Sequence, residues 1–328
     1  MEIDFAYKLH INNEAIRKFY EENWPRKIVL SNAKFYKWQF LDAPDCQSHD
    51  HCVVAYNRRD QQIVGVMGLT KRTFFLSGHT VNGAELTTWI VSDHGRRLGA
   101  GAKMLLFIKE NFSVAGGTGI SEKALPVYMR SGFRYIKALP RFMRVINFET
   151  IKNYATYTEL APKLIKQWAE THAPVFSARE ASIDDCAQIF HAKINEFNFF
   201  CRDTHYLKWR YTQHPAFVYK KFIINTPDNL STAAVIIREE KSISDFSVLH
   251  ITDLFGDEQA LPLAIKFIEN YAKKNNFAII DFYCTSTKIY RFMLCGGWFS
   301  VNDDMSFRFP HLFHPIEMRD PPTTSIIY

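Results

Sequence analysis

The residues most able to do chemistry in this sequence are Arg96-Arg97-Leu98-Gly99-Ala100-Gly101, and the chemistry is anion binding. The first N–H groups of a helix have no partner within it, and the helix dipole leaves that end positive. Small residues let an anion come close to those groups, and two arginines add charge-assisted hydrogen bonds. Such a run between a strand and a helix is built like a cradle for a diphosphate. There is no Gly-Lys-Ser/Thr, so it is not a Walker A loop, and its glycines do not follow G-x-G-x-x-G.

The neighbouring residues supply the elements that position this run. Thr87, Thr88, Trp89, Ile90 and Val91 are β-branched or aromatic, which predicts a buried strand. Met104, Leu105 and Ile108 fall on one helical face downstream. Upstream, Asn12 or Asn13 caps a helix over 12–24 with Ile16, Phe19 and Tyr20 along one side. An aromatic helix over 35–44 stops at Pro44, and strands follow near 52–57, 62–70 and 73–76. Turns are expected at Arg59-Asp60 and Asn82-Gly83. After the cradle come a strand at 113–120, a helix at 122–130, and strands near 133–137 and 141–147.

The second half repeats the first. Tyr206-Leu207-Lys208-Trp209-Arg210-Tyr211-Thr212-Gln213-His214-Pro215 aligns without gaps on 35–44, with lysine, tryptophan and closing proline coinciding. Ser182-Ile183-Asp184-Asp185 reads as a capping box opening a helix. Strands at 218–224, 232–238 and 247–255, a helix at 259–274, a strand at 277–284 and a helix ending at Gly296-Gly297 mirror the first half. The expected fold class is α/β with mixed sheets in two tandem domains, 1–150 and 176–328, joined by a connector over 151–175. The second copy is degenerate where the cradle should be. Leu254-Phe255-Gly256-Asp257-Glu258-Gln259-Ala260-Leu261-Pro262 has no arginine pair, and it puts two carboxylates near an anion site.

Composition narrows the class of function. At 328 residues the chain is long enough for two cores, and 28 Phe suggest ring-lined cores or clefts. A net charge of +6 suits an anionic small ligand, and no basic helix or arm marks a nucleic-acid binder. No apolar run reaches the ~18 residues of a membrane span. The opening MEIDFAYKLH does not read as a signal peptide. Cysteines 46, 52, 186, 201, 284 and 295 show no zinc or C-x-x-C spacing, so reduced thiols, a cytoplasmic location and no metal are expected. Monomer and dimer both stay open.

The cradle resembles motif A of the GNAT acyltransferases, Arg/Gln-x-x-Gly-x-Gly/Ala, at Arg96, Gly99 and Gly101, and the order of elements over 12–147 resembles that fold. The resemblance implies acyl-CoA as co-substrate, its pyrophosphate held by Arg96, Arg97, Leu98, Gly99, Ala100 and Gly101. Trp89, Ile90 and Val91 would offer backbone groups to the pantetheine arm and to the thioester carbonyl. Glu85 falls where histone acetyltransferases of this superfamily carry a general base. Tyr128, in Val127-Tyr128-Met129-Arg130-Ser131-Gly132-Phe133, falls where the family places a tyrosine beside the coenzyme A sulfur.

The Lys-Trp-Arg-Tyr-x-x-His-Pro helix with a degenerate second domain is similar to nucleotide-sugar N-acyltransferases of bacterial surface-polysaccharide gene clusters. That implies a small-molecule acceptor, a dTDP-linked amino sugar. Aromatic and cationic candidates for it are Trp38, Tyr206, Arg210, Tyr211, Tyr283, Arg308, His311 and His314, in a cleft walled by the second half. A peptide, protein or other amine as acceptor stays open, as does a non-catalytic acyl-CoA-binding scaffold.

Overall fold

The computed structural model of the chain describes residues 3–7, 12–25, 28–45, 51–169, 174–196, 198–242, 245–312, 318–319 and 324–328. Contacts divide the chain into two units, and neither is a contiguous half. The first gathers Met1–Ile136, Ile194–Ala216 and Ser325–Tyr328; the second gathers Lys137–Lys193 and Phe217–Thr324. The boundaries expected at 150 and 175 therefore differ from the observed ones, because the closing strands are exchanged and the segment 194–216 joins the first unit.

In the first unit, strands β1 (Ile3–Tyr7), β2 (Cys52–Asn57), β3 (Ile63–Leu76), β4 (His79–Val91), β5 (Val114–Thr118) and β6 (Tyr135–Ile136) belong to one sheet. Between β5 and β6 lies Ile326–Ile327, from the far end of the chain. The second sheet has the mirror arrangement. Its strands Ser177–Glu180, Tyr219–Asn225, Thr232–Lys241, Ser247–Gly256, Ile279–Tyr283 and Phe299–Ser300 receive β7 (Arg141–Val145) between the last two. Each copy's last strand thus completes the other copy's sheet. An alternating strand pattern specifies which face is buried but not which edge is paired, so the sequence placed 141–147 in the first domain.

Two further differences matter for the site. The strands expected at 62–70 and 73–76 are one continuous β3, and the turn is Ser77-Gly78 rather than Asn82-Gly83. Both turn residues have positive φ, 50° and 80°, as a tight hairpin connection requires. Asn82 lies inside β4, where its side chain bonds the Asn111 carbonyl and the Ser113 N–H.

Helices cover both faces of the first sheet. Helix α1 (Asn13–Asn23) and α2 (Ala33–Tyr36), which runs on as a π-helical turn over Lys37–Leu41, pack Ile16, Tyr20, Tyr36 and Phe40 against Val54 and Val66. After β4 come a short helix α3 (Asp93–Arg97) and the longer α4 (Ala100–Asn111). Helix α4 buries Met104, Leu105 and Ile108 against Leu69, Ala84 and Leu86, and α5 (Leu125–Arg130) adds Tyr128 to that core.

The repeated aromatic helices meet in this unit. Trp38 and the Trp209 of helix Thr204–Tyr211 stack at 4.9 Å and 15°. Each indole N–H donates to the other residue's carbonyl, at 3.0 and 2.7 Å. Equivalent residues making the same bond in both directions give the sequence repeat its physical meaning: a local two-fold contact.

The second unit is built on the same plan. Helix Leu261–Lys274 buries Ala264, Ile265 and Ile268 on one face of its sheet. Among the described residues no helix is long and apolar enough to cross a membrane.

Candidate active site

The site begins where two parallel strands part. Strands β4 and β5 are in register at Gly83/Val114, Ala84/Ala115 and Glu85/Gly116, and the pairing ends there. Strand β4 continues to Val91, so the β5-facing edge of Leu86–Val91 has no strand partner among the described residues. On its other edge β4 carries a bulge, because Met67 faces Trp89 while Gly68 faces Thr87, leaving Thr88 extra. The buried Tyr20 hydroxyl donates to the Thr88 carbonyl at 2.9 Å and fixes that bulge. An unpaired strand edge is a template for an extended ligand that brings its own amide groups.

At the end of β4 the cradle has more order than a loop. Ser92 caps α3 by accepting from the Gly95 N–H, and only Leu98 and Gly99 separate α3 from α4. Gly99 is the N-cap of α4 in the left-handed region, φ 70°, with nothing within 4 Å of where a Cβ would stand. Among the described residues no side chain caps α4, so its first N–H groups face outward under an open approach. Gly101 serves a different purpose: a Cβ there would stand 2.7 Å from Cζ2 of Trp89. The arginines also divide. Arg96 donates to the Val91 carbonyl at 2.7 Å and to Asp93, closing the strand-to-helix turn. Arg97 is exposed and has no hydrogen-bond or ion-pair partner among the described residues.

Tyr128 and Glu85 flank the parted strands on opposite faces of β4. Tyr128 is buried in the α4-side core, its ring edge-on to Trp89 at 5.1 Å and to Phe133 at 5.2 Å. Burial pushes its phenol well above the ordinary range, so it holds its proton firmly. The neighbouring Trp89 indole N–H is buried and has no acceptor among the described residues, a donor left over for a ligand. Glu85 points the other way. Its carboxylate takes a 2.9 Å bond from Arg72, and its side chain is half exposed rather than enclosed. Among the described residues no group of three or more His, Cys, Asp or Glu could hold a metal ion.

No known family's sequence profile matches this chain, and no curated protein sequence does either. Solved structures do. A GCN5-related N-acetyltransferase from Anabaena variabilis superposes over 99% of this chain and 72% of its own, with TM-score 0.61 and 11% identity. A probable N-acyltransferase from Enterococcus faecalis also matches over 99% and 72%, with TM-score 0.62 and 9% identity. N-myristoyltransferase from Saccharomyces cerevisiae, solved with myristoyl-CoA bound, covers 99% and 82%, with TM-score 0.54 and 12% identity. The chain has the GNAT fold. At these identities the likeness speaks for the fold, and the side chains must speak for the site.

Within the GNAT fold the acceptor candidates scatter. Trp38 and Tyr211 are buried in the first unit, the faces of Trp38 taken by Trp209 and, at 4.2 Å, by His214. The Arg210 guanidinium lies 5.8 Å from the Trp38 ring. Tyr206 sits over Arg72, with its ring centroid 3.8 Å from the guanidinium carbon. Tyr283, Arg308 and His311 belong to the second unit. There the Tyr283 hydroxyl meets His311 at 3.3 Å, and His311 also meets Thr324. Burial pushes the His311 imidazole down to about 4, and the nearby Arg141 works in the same direction. Arg308 is exposed and contacts Met305, while His314 lies outside the described residues. Sequence reasoning missed Arg72 and Tyr20. The signal for Arg72 was the hairpin register, which a turn set at Asn82-Gly83 hides.

Proposed function

We propose that this chain is an N-acyltransferase that moves an acyl group from acyl-CoA to an amine, with the first unit as its catalytic unit. The observation that carries this reading is the parting of β4 from β5 beside Glu85, with an unpartnered strand edge, an uncapped α4 and an idle Trp89 donor around it. Bound acyl-CoA would supply an activated carbonyl and a thiol leaving group. The α4 N-terminus and Arg97 would hold its diphosphate, and the edge of Leu86–Val91 would align its pantetheine arm. Arg96 contributes by holding the turn in shape.

Chemistry then divides between the two faces of β4. Glu85, half exposed on the α2 side, accepts the proton of the incoming amine directly or through one water. Tyr128, buried on the α4 side, donates from its tightly held O–H to the departing sulfur. Proton acceptor and hydrogen-bond donor would thus serve the attacking amine and the departing sulfur from opposite faces of β4.

For the acceptor we favour a nucleotide-linked amino sugar, supported by the resemblance carried by the 206–215 helix and by the positive net charge. The aromatic core of that helix is spent on the Trp38–Trp209 stack, so recognition would fall to its exposed side chains. The test is calorimetric titration with coenzyme A, followed by mass-spectrometric screening of acyl-CoAs against dTDP-linked amino sugars. Gly99→Asp places a carboxylate on the anion approach and should abolish coenzyme A binding in a folded protein. Undiminished affinity in that variant would remove the assignment, and acylation of peptide amines alone would replace the sugar as acceptor.

A further inference from the structure

We infer that Arg72 is a positioning residue for Glu85, and that the segment Phe200–Tyr206 exists in part to hold Arg72; the inference rests on Glu85 acting in the transfer. Arg72 lies on β3 opposite Gly83, while Glu85 lies opposite Thr70, so the two side chains share a face two residues apart across the hairpin. Its Nη1 donates to Glu85 Oε2 at 2.9 Å, and its Nη2 to the Cys201 carbonyl at 2.8 Å. The guanidinium carbon lies 3.8 Å from the Tyr206 ring centroid and 4.8 Å from that of Phe200. The Phe199–Phe200 strand is itself clipped to β3 at Phe74–Phe75.

The asymmetry of this pair is informative. Arg72 is only 8% exposed, and Glu85 is 50% exposed. Burying a cation is costly unless it is fully paired, while an ion pair to a half-exposed carboxylate adds little to stability. Stability is therefore a poor reason for this arrangement. Its clear effect is on direction. With Oε2 bonded to a guanidinium that cannot turn, a long and otherwise mobile side chain is held in one rotamer. Its Oε1 has no partner among the described residues and keeps one orientation beside the parted strands. A catalytic group displaced by about 1 Å loses roughly 100-fold in rate, so a fixed carboxylate is worth the buried cation.

The test is a double-mutant cycle of Arg72→Gln and Glu85→Gln, read with acetyl-CoA and the dTDP-linked amino sugar, with coenzyme A affinity and melting temperature measured alongside. Arg72→Gln should lower kcat by ~10–100-fold and leave the coenzyme A affinity unchanged. Arg72→Lys, which keeps the charge and loses the fork, should recover part of the loss. In the Glu85→Gln background Arg72→Gln should change kcat by less than about 2-fold, because the group it positions is already gone. Full multiplication of the two defects, or wild-type kcat in a folded Arg72→Gln enzyme, overturns the inference while leaving Glu85 as base. Wild-type kcat in Glu85→Gln removes the underlying reading and the inference with it. Should Arg72→Gln fail to fold, Tyr206→Leu removes the ring over the guanidinium and reads the same coupling. A Tyr206→Leu defect that persists in Glu85→Gln also overturns the inference.

Discussion

The two copies of the fold differ most at the parting strands. Both carry a bulge on the strand before the cradle helix, at Thr88 in the first unit and at Thr252 in the second. Counting from those bulges matches Glu85 with Leu249, Leu86 with His250, Gly116 with Ile280 and Gly117 with Asp281. In the second unit the parallel pairing continues through Ile251 and Phe282, two residues past the point where β4 and β5 separate. Where the first copy has Leu86 and Gly117, the second has His250 and Asp281, members of a buried ionic network.

Arg141 on β7 donates to Asp281 at 2.8 Å, with both side chains at most 1% exposed. Arg141 also bonds the Phe309 and Pro310 carbonyls. Burial pushes the Asp281 carboxyl up, but Arg141 and His250 outweigh it and hold it well below the usual range. His250, 3.6 Å from Asp281 and 3.3 Å from Glu240, is raised: burial disfavours its charge, and the two carboxylates more than offset that. The helix that follows is closed to anions as well. Its first N–H, on Leu261, is bonded to the Asp257 carbonyl, and Pro262 has none. One copy keeps donors for a ligand around its parted strands and helix start; the other pairs its strands further and satisfies its helix start internally.

That contrast can be broken at three points. The largest effect is expected from Asp281→Ala, which leaves Arg141 buried and unpaired and should cost the second unit about 3–5 kcal/mol. Chemical denaturation would measure it, and coenzyme A affinity of the folded protein should not change. A loss of coenzyme A binding with an intact fold would mean that the network does more than fill space. Next, Tyr128→Phe keeps the ring packed on Trp89 and loses the proton, so kcat should fall about 100-fold with little change in KM for acyl-CoA. A KM effect alone would make Tyr128 a binding residue. The smallest effect separates the arginines: Arg97→Ala should weaken coenzyme A by roughly 1–3 kcal/mol. Arg96→Ala should act mainly on thermal stability. Reversed results would show that Arg96 leaves Val91 and Asp93 to meet the ligand.

Much of this site was legible in the sequence. The strand, the small-residue turn and the α4 face followed from residue type and spacing, and the 35–44/206–215 repeat announced a real contact. What stayed hidden depended on pairing. Asn82-Gly83 is a stronger turn signal than Ser77-Gly78, yet the latter connects β3 to β4. With the turn at 77–78 the register sets Arg72 against Gly83 and Thr70 against Glu85, and the ion pair could have been read directly. Strand exchange was hidden for a related reason, because β7 and Ile326–Ile327 look alike whichever sheet they complete. Trp38 looked like a ligand platform because an aromatic surface and an aromatic core share a composition; only its reciprocal bonds with Trp209 distinguish the two.

By the proposed function, one copy binds acyl-CoA and the other has closed the equivalent site. Titration calorimetry of the full chain with coenzyme A, checked by native mass spectrometry, tests it most directly. One coenzyme A per chain, lost in Gly99→Asp, is the predicted result. Two bound per chain, or one that survives Gly99→Asp in a folded protein, would contradict it.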